Sequence, residues 1–408
     1  VINPKRLEKR IYTLADIGAT KEGGVTRLAL TKEYKEAINL ITQWMEEAGM
    51  HVFLDAAGNL IGRKEGHKTK KPPIVLGSHI DSVKNGGKFD GVIGVIGGIE
   101  VVQHLTEEKF NLKRTIEVIA FCEEEGTRFL SGGMFGSRAM VGDIKNSEME
   151  AKDKDGITRE QGFKDFGLDP NNIKQAVRNK NAIEIYLEMH IEQGPVLTQK
   201  ETPLGIVTGI TGVSLMEIIV EGEQNHAGGT PMNARKDALL AASEIALTIE
   251  EIFNNYGGVS VGTITRMHAQ PDQVNIIPGR ATMTLDVRDI EIERRDKILK
   301  EIENRAENVG QERGVTFQFR PVLHAEPTMC AEEIISTMQT ESKKMKLKYH
   351  NMPSGGGHDA QIISKIADIG MIFVRSKGGS HNPNEFASIK DITDGTKLLS
   401  ATVLKYMK

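Results

Sequence analysis

Four near-continuous apolar runs constrain this chain most: Pro73 to Leu76, Thr115 to Phe121, Ile183 to Met189 and Met371 to Val374. Short runs without polar alternation read as strands buried on both faces, as in a parallel or mixed sheet covered by helices. Apolar residues at helical spacing (Leu7, Ile11, Leu14, Ile17, then Tyr34, Ile38, Ile41, Met45) predict helices over about 5–17 and 32–48. Further helices are expected over 92–108, 131–140, 330–346, 358–366 and 389–406, and a hairpin over 51–64 that turns at Ala57-Gly58-Asn59. The class is α/β.

Between about 207 and 324 the order becomes strand 215–221, helix 234–253, strand 259–268, strand 280–288, helix 292–309 and strand 315–320. That β-α-β-β-α-β order is a split βαβ unit, expected as an α+β domain of 208–324 inserted into a larger domain of 1–207 and 325–408. Gly205 to Gly212 and Arg320 to Pro327 read as its hinges. A chain of 408 residues is long enough for two cores. With 39% hydrophobic and 26% charged residues it reads as soluble and globular. A net charge of -4, with no basic cluster interleaved with aromatics, leaves no footprint for nucleic acid. The opening Val-Ile-Asn-Pro-Lys-Arg lacks a signal peptide's apolar core, and no stretch reaches the roughly 18 apolar residues that span a bilayer. No membrane partner is expected, and two cysteines, Cys122 and Cys330, suit a reducing cytoplasmic setting. Partners should be small molecules or other subunits.

Each buried run ends in polar chemistry. The first leads into His79, Asp81 and Asp90, and the second into Glu123, Glu124 and Glu125. The third leads into Glu188, His190 and Glu192, and the fourth into Arg375 and His381. Ligands of open α/β sheets gather outside the carboxyl ends of the strands, so these groups are expected to converge. Imidazole and carboxylate without thiolate suit zinc, manganese, cobalt or nickel, and the carboxylates suffice for two ions with one bridging. In the triplet, one Glu can ligate while its neighbour stays free as a general base. Taken singly, a Glu triplet is ordinarily a solvated run and His190 a core or surface histidine; the shared position after buried strands argues for more.

The specific marks are Gly-Ser-His79-Ile-Asp81-Ser-Val, Gly-Gly-Lys-Phe-Asp90-Gly91, Glu-Glu124-Glu125-Gly-Thr-Arg-Phe, Glu188-Met-His190-Ile-Glu192-Gln193-Gly-Pro, His226-Ala-Gly-Gly-Thr-Pro231 and Ser380-His381-Asn-Pro-Asn-Glu385. With these the chain resembles, over essentially its full length, the di-metal amidohydrolases of the aminoacylase and carboxypeptidase clan. Within that clan it is similar to the branch of N-carbamoyl-L-amino-acid hydrolases, allantoate amidohydrolases and β-ureidopropionases. The resemblance implies a mixed-sheet, exopeptidase-like catalytic domain with an inserted lid and dimerisation domain, hence a homodimer. It also implies two divalent ions per chain, one on His79 and His190 and the other on Glu125 and His381, with Asp90 bridging. Glu124 would be the general base and Asp81 the carboxylate that orients His79. Asn275 and Arg288 would bind the substrate carboxylate, His226 would steady the reacting carbonyl, commonly from the neighbouring subunit, and Gln193 and His358 would line the pocket. Cys122 departs from the polar residue frequent at its place. The implied activity is hydrolysis of an N-carbamoyl-L-amino acid. The rival readings are allantoate hydrolysis, aminoacylase or peptidase action, and a metal-binding scaffold without catalysis.

Overall fold

A computed structural model describes residues 1–68 and 70–407. The chain divides into two compact units, Val1–Thr208 with Met329–Lys408, and Gly209–Thr328. Two helices, Pro4–Asp16 and Lys32–Glu47, open the first unit; each is capped by a side-chain oxygen, Asn3 and Thr31 respectively, that accepts backbone N–H groups of the first turn. The hairpin β1 (His51–Leu54) and β2 (Leu60–Lys64) follows. Then come β3 (Ile74–His79), β4 (Ile116–Phe121), β5 (Ile185–Ile191) and β6 (Leu204–Ile210).

The second unit holds β7 (Gly212–Glu221), β8 (Asn225–His226), β9 (Val261–Gln270), β10 (Ile276–Ile277), β11 (Arg280–Asp289) and β12 (Thr316–Ala325). Helices Ala238–Tyr256 and Ile292–Arg313 complete the β-α-β-β-α-β order. Its sheet runs β12-β7-β11-β9, all antiparallel. β11 alternates buried and half-buried residues along its length, and its buried face (Ala281, Met283, Leu285, Val287) packs with Ile245, Ile249, Ile298 and Ile302 into a separate core.

The chain then adds β13 (Thr328–Met329), β14 (Tyr349–Ser354) and β15 (Asp368–Val374) to the large sheet, whose order is β1-β2-β4-β3-β5-β15-β6-β13 with β14 beside β6. The four central strands β4, β3, β5 and β15 are mutually parallel, while β2 and β6 run antiparallel to them. β3, β4 and β5 are buried at every position, which explains their near-continuous apolar runs. Helices Val92–Glu107 and Ile389–Tyr406 belong to the same core. Parallel strands send their carboxyl ends to one edge of the sheet, and the polar groups after all four runs meet there.

Leu204 to Val207 pair with β15 as a buried strand, and the division between the two units falls at Thr208/Gly209, within the expected Gly205 to Gly212 stretch. Two other expectations are corrected. Within Arg320 to Pro327, residues up to Ala325 continue β12, with a register shift after Pro321, which has no N–H to donate. The helix expected over 131–140 is only Phe135–Met140, because Met134 stands in left-handed backbone and its N–H is held by the Glu124 carbonyl at 2.6 Å. Among the described residues no helix is long and apolar enough to cross a membrane.

Candidate active site

His79 is the last residue of β3, and Gly91 caps the helix that follows its loop. Gly91 has φ +67, and a Cβ there would come within 2.5 Å of the His79 ring, so the loop closes onto the imidazole only with glycine. His79 Nδ1 meets the Asp81 carbonyl at 3.0 Å, while the Asp81 carboxylate stands 3.5 Å away. That carboxylate accepts the N–H groups of Glu124 and Glu125, at 3.2 and 3.1 Å. Asp81 therefore ties the β3 loop to the glutamate turn as much as it steadies His79.

The turn after β4 begins at Glu123 in left-handed backbone, φ 58. Its carboxylate makes a forked pair with Arg159 at 2.9 and 3.0 Å, with the guanidinium fully buried between Phe129 and Phe135. Removing one member of such a pair strands a buried charge and costs about 3–5 kcal/mol. Arg159→Met is thus expected to lower the urea midpoint by that equivalent, and Glu123→Gln placed on top of it to recover part of the loss. A loss below about 1 kcal/mol would show that the pair does not hold the turn.

β5 carries Glu188 and His190. His190 Nδ1 meets the Ile191 carbonyl at 2.9 Å, leaving Nε2 directed at Asp90 Oδ1, 3.0 Å away. Gln193, also left-handed (φ 61), points its amide nitrogen at both Asp90 oxygens, at 3.3 and 3.1 Å. His358 packs edge-on against His190 with ring centres 4.5 Å apart, and its Nε2 lies 2.8 Å from the Ser354 hydroxyl. After β15, His381 Nε2 stands 3.3 Å from Asp90 Oδ2 and 3.5 Å from Glu125 Oε2. Glu124 faces His79 Nε2 at 3.6 Å. Two strand-end groups do other work: Glu192 accepts the N–H groups of Val196 and Leu197, and Arg375 pairs with Asp391.

Among the described residues three groups have donor atoms close enough to share an ion: His79 with Asp90 and His190, Asp90 with Glu125 and His381, and Glu188 with His190 and His358. The third is already engaged, since Glu188 accepts from Ser78, Tyr186 and the Ala360 N–H. The first two share Asp90. Their charge also fits a cation. Burial pushes the Glu124 carboxyl well above the usual range, with Asp359 and Glu125 adding to it and His79 opposing. Burial pushes Glu125 up to about 7. His381 is raised to about 9 by its contact with Asp90, against burial. His79 is held well above its ordinary value because Glu124 and Asp81 outweigh burial. Groups that must otherwise keep protons to coexist are suited to a divalent ion, and imidazole with carboxylate is a donor set for zinc, manganese, cobalt or nickel.

His226, Asn275 and Arg288 belong to the second unit. His226 on β8 pairs with Ile276 on β10, and the Ala227 N–H donates to the Asn275 carbonyl, so these two are neighbours. Arg288 lies elsewhere: it pairs across β11 with Val213 at the start of β7, whereas His226 follows the end of β7, and its guanidinium contacts Asp286 at 3.0 and 3.1 Å. Arg159 and Glu385 were not legible as site residues. Arg159 sits alone in a polar segment; Glu385 is visible only as the end of the His381 motif.

The model of peptidase family M20/M25/M40 matches residues 75–405. An N-carbamoyl-L-amino-acid amidohydrolase of Pseudomonas sp. (strain NS671) is 45% identical, covering 100% of this chain and 99% of that protein. An N-carbamoyl-L-amino acid amidohydrolase of Geobacillus stearothermophilus is 42% identical, covering 99% and 98%. Among solved structures, a hydantoinase/carbamoylase family amidase from Burkholderia ambifaria matches with a TM-score of 0.92 at 31% identity, covering 100% of this chain and 97% of that one.

Proposed function

Because the chain belongs to peptidase family M20/M25/M40, and so is a hydrolase acting on C–N bonds, we propose that it cleaves the ureido bond of an N-carbamoyl-L-amino acid. The observation that carries the reading is the pair of donor groups sharing Asp90, with Glu124 beside them and in neither. His79 and His190 would hold one divalent ion, Glu125 and His381 a second, and Asp90 would bridge. Bound there, the ions would acidify a water and polarise the ureido carbonyl.

Glu124 takes the proton of the attacking water and returns it to the leaving nitrogen as the C–N bond breaks. The amino acid leaves, and the carbamic acid formed decomposes to carbon dioxide and ammonia. Gln193, held on Asp90, and His358, behind His190, line the pocket. Arg288, with its planar fork, and Asn275 take the substrate carboxylate, and His226 steadies the carbonyl oxygen.

The inserted unit acts as lid and dimerisation domain. Two features support a second copy of the chain. His226 and Asn275 lie beyond one end of the β7–β11 pair and Arg288 at the other, with eight residue steps of β11, roughly 27 Å, from Arg280 to Arg288. One copy of this unit therefore cannot lay all three on one small substrate. In addition, β9 is an edge strand, with one neighbour in its sheet among the described residues.

The test is a panel of N-carbamoyl-L-amino acids, allantoate and dipeptides, followed by release of both ammonia and amino acid. The best N-carbamoyl amino acid is expected to exceed allantoate and any dipeptide in kcat/KM by about tenfold or more. A higher value for allantoate or a dipeptide would overturn the assignment.

A further inference from the structure

Glu385 lies four residues beyond His381 and takes no part in the chemistry above. It is buried, and its Oε1 accepts two backbone N–H groups of the Asp90 loop, from Phe89 at 2.9 Å and Asp90 at 3.1 Å. Its Oε2 lies 3.0 Å from the Ser380 hydroxyl, which is also 2.9 Å from Asp90 Oδ2. The Asp90 loop is shaped to admit this carboxylate: a Cβ on Gly87 would come within 2.0–2.4 Å of it. Ser380 and Glu385 flank His381, whose left-handed backbone (φ 58) turns its ring toward Asp90 and Glu125. One carboxylate thus fastens the loop that carries His381 to the loop that carries Asp90.

We propose that Glu385 is a positioning residue for the donor group Asp90–Glu125–His381: it sets the separation of the Asp90 carboxylate and the His381 imidazole, and so decides whether an ion is retained there. The proposal rests on reading the Asp90-centred groups as metal sites. Outer partners that orient a ligand are worth about 10–100-fold in metal affinity. Glu385 reaches further than most, because through backbone N–H groups and Ser380 it orients ligands from two loops at once.

The measurement is ions per chain after dialysis against graded metal buffers, with the melting temperature of the metal-stripped protein as a second readout. Wild type is expected to hold two ions, and Glu385→Ala to bind one as wild type does and the other about 10–100-fold more weakly. Glu385→Gln, whose amide oxygen can accept the same two N–H groups, is expected to restore affinity to within about threefold of wild type. Should Glu385→Ala not fold, Glu385→Asp keeps the charge, loses the reach, and is expected to weaken the same ion. Retention of both ions at wild-type affinity by Glu385→Ala or Glu385→Asp would overturn the proposal, as would a Glu385→Gln variant no better than alanine. Wild type that takes up no ion would overturn the metal reading itself, and this role with it.

Discussion

Glu124→Gln lowers kcat by about 10²–10⁴-fold, leaves KM within about threefold, and leaves the ion content unchanged. The geometry separates Glu124 from its neighbours. Glu123 is consumed by Arg159, and Glu125 stands 3.5 Å from His381 within a donor group; Glu124 is in none of the three groups found among the described residues. Its backbone is anchored independently of its carboxylate, by Asp81 on the N–H and by the Met134 N–H on the carbonyl. An isosteric amide therefore keeps the turn and removes only the proton acceptor. Near-normal turnover with ions bound would mean that another group serves as the base.

The second large effect is expected at Asp90. Its two oxygens face different imidazoles, His190 at 3.0 Å and His381 at 3.3 Å. His190, His381 and His79 outweigh its burial and hold its carboxyl well below the usual range, so it is the anion around which the site is arranged. Asp90→Asn keeps the shape but puts an NH₂ where one of the two ions would need an oxygen. Activity should fall by at least 10³-fold, on the order of 4 kcal/mol of barrier, with no more than one ion retained per chain under conditions where wild type holds two. The metal-stripped variant should melt lower than the metal-stripped wild type, since His190 and His381 lose the anion that faces them. Full metal content in Asp90→Asn would remove Asp90 as the bridge.

How much of this was legible in the sequence follows from what each residue does. His79, Glu125, His190 and His381 announce themselves because each sits near or beyond the carboxyl end of a largely apolar strand, where a polar side chain has to be explained. β6 did not announce itself, because Gly205, Thr208 and Gly209 dilute the pattern and the strand becomes apparent only against β15. Glu385 was hidden because its partners are backbone groups 295 and 296 residues away, which carry no side-chain signature. Arg159 was hidden because a lone arginine among charged residues looks like solvated surface until Phe129 and Phe135 close over it. Asp81 was legible as a partner of His79; its grip on the Glu124 and Glu125 amides depends on β3 and β4 being adjacent and parallel, which no local pattern reports.

The place of β15 in the sheet also sets a timetable for biosynthesis. β15 is the strand that stands between β5 and β6, yet it is made only after the whole inserted unit. At about 5–20 residues per second, the ~190 residues between His190 and His381 take roughly 10–40 s to emerge from the ribosome. During that interval β5 offers the nascent chain an open, apolar, parallel edge, the kind of surface that recruits other unfinished chains. His79, Asp90 and His190 already exist by then, and the second imidazole that faces Asp90 does not. If the two groups bind ions as proposed, capture would be ordered in time: the first group can assemble before His381 is made, and the second only after it.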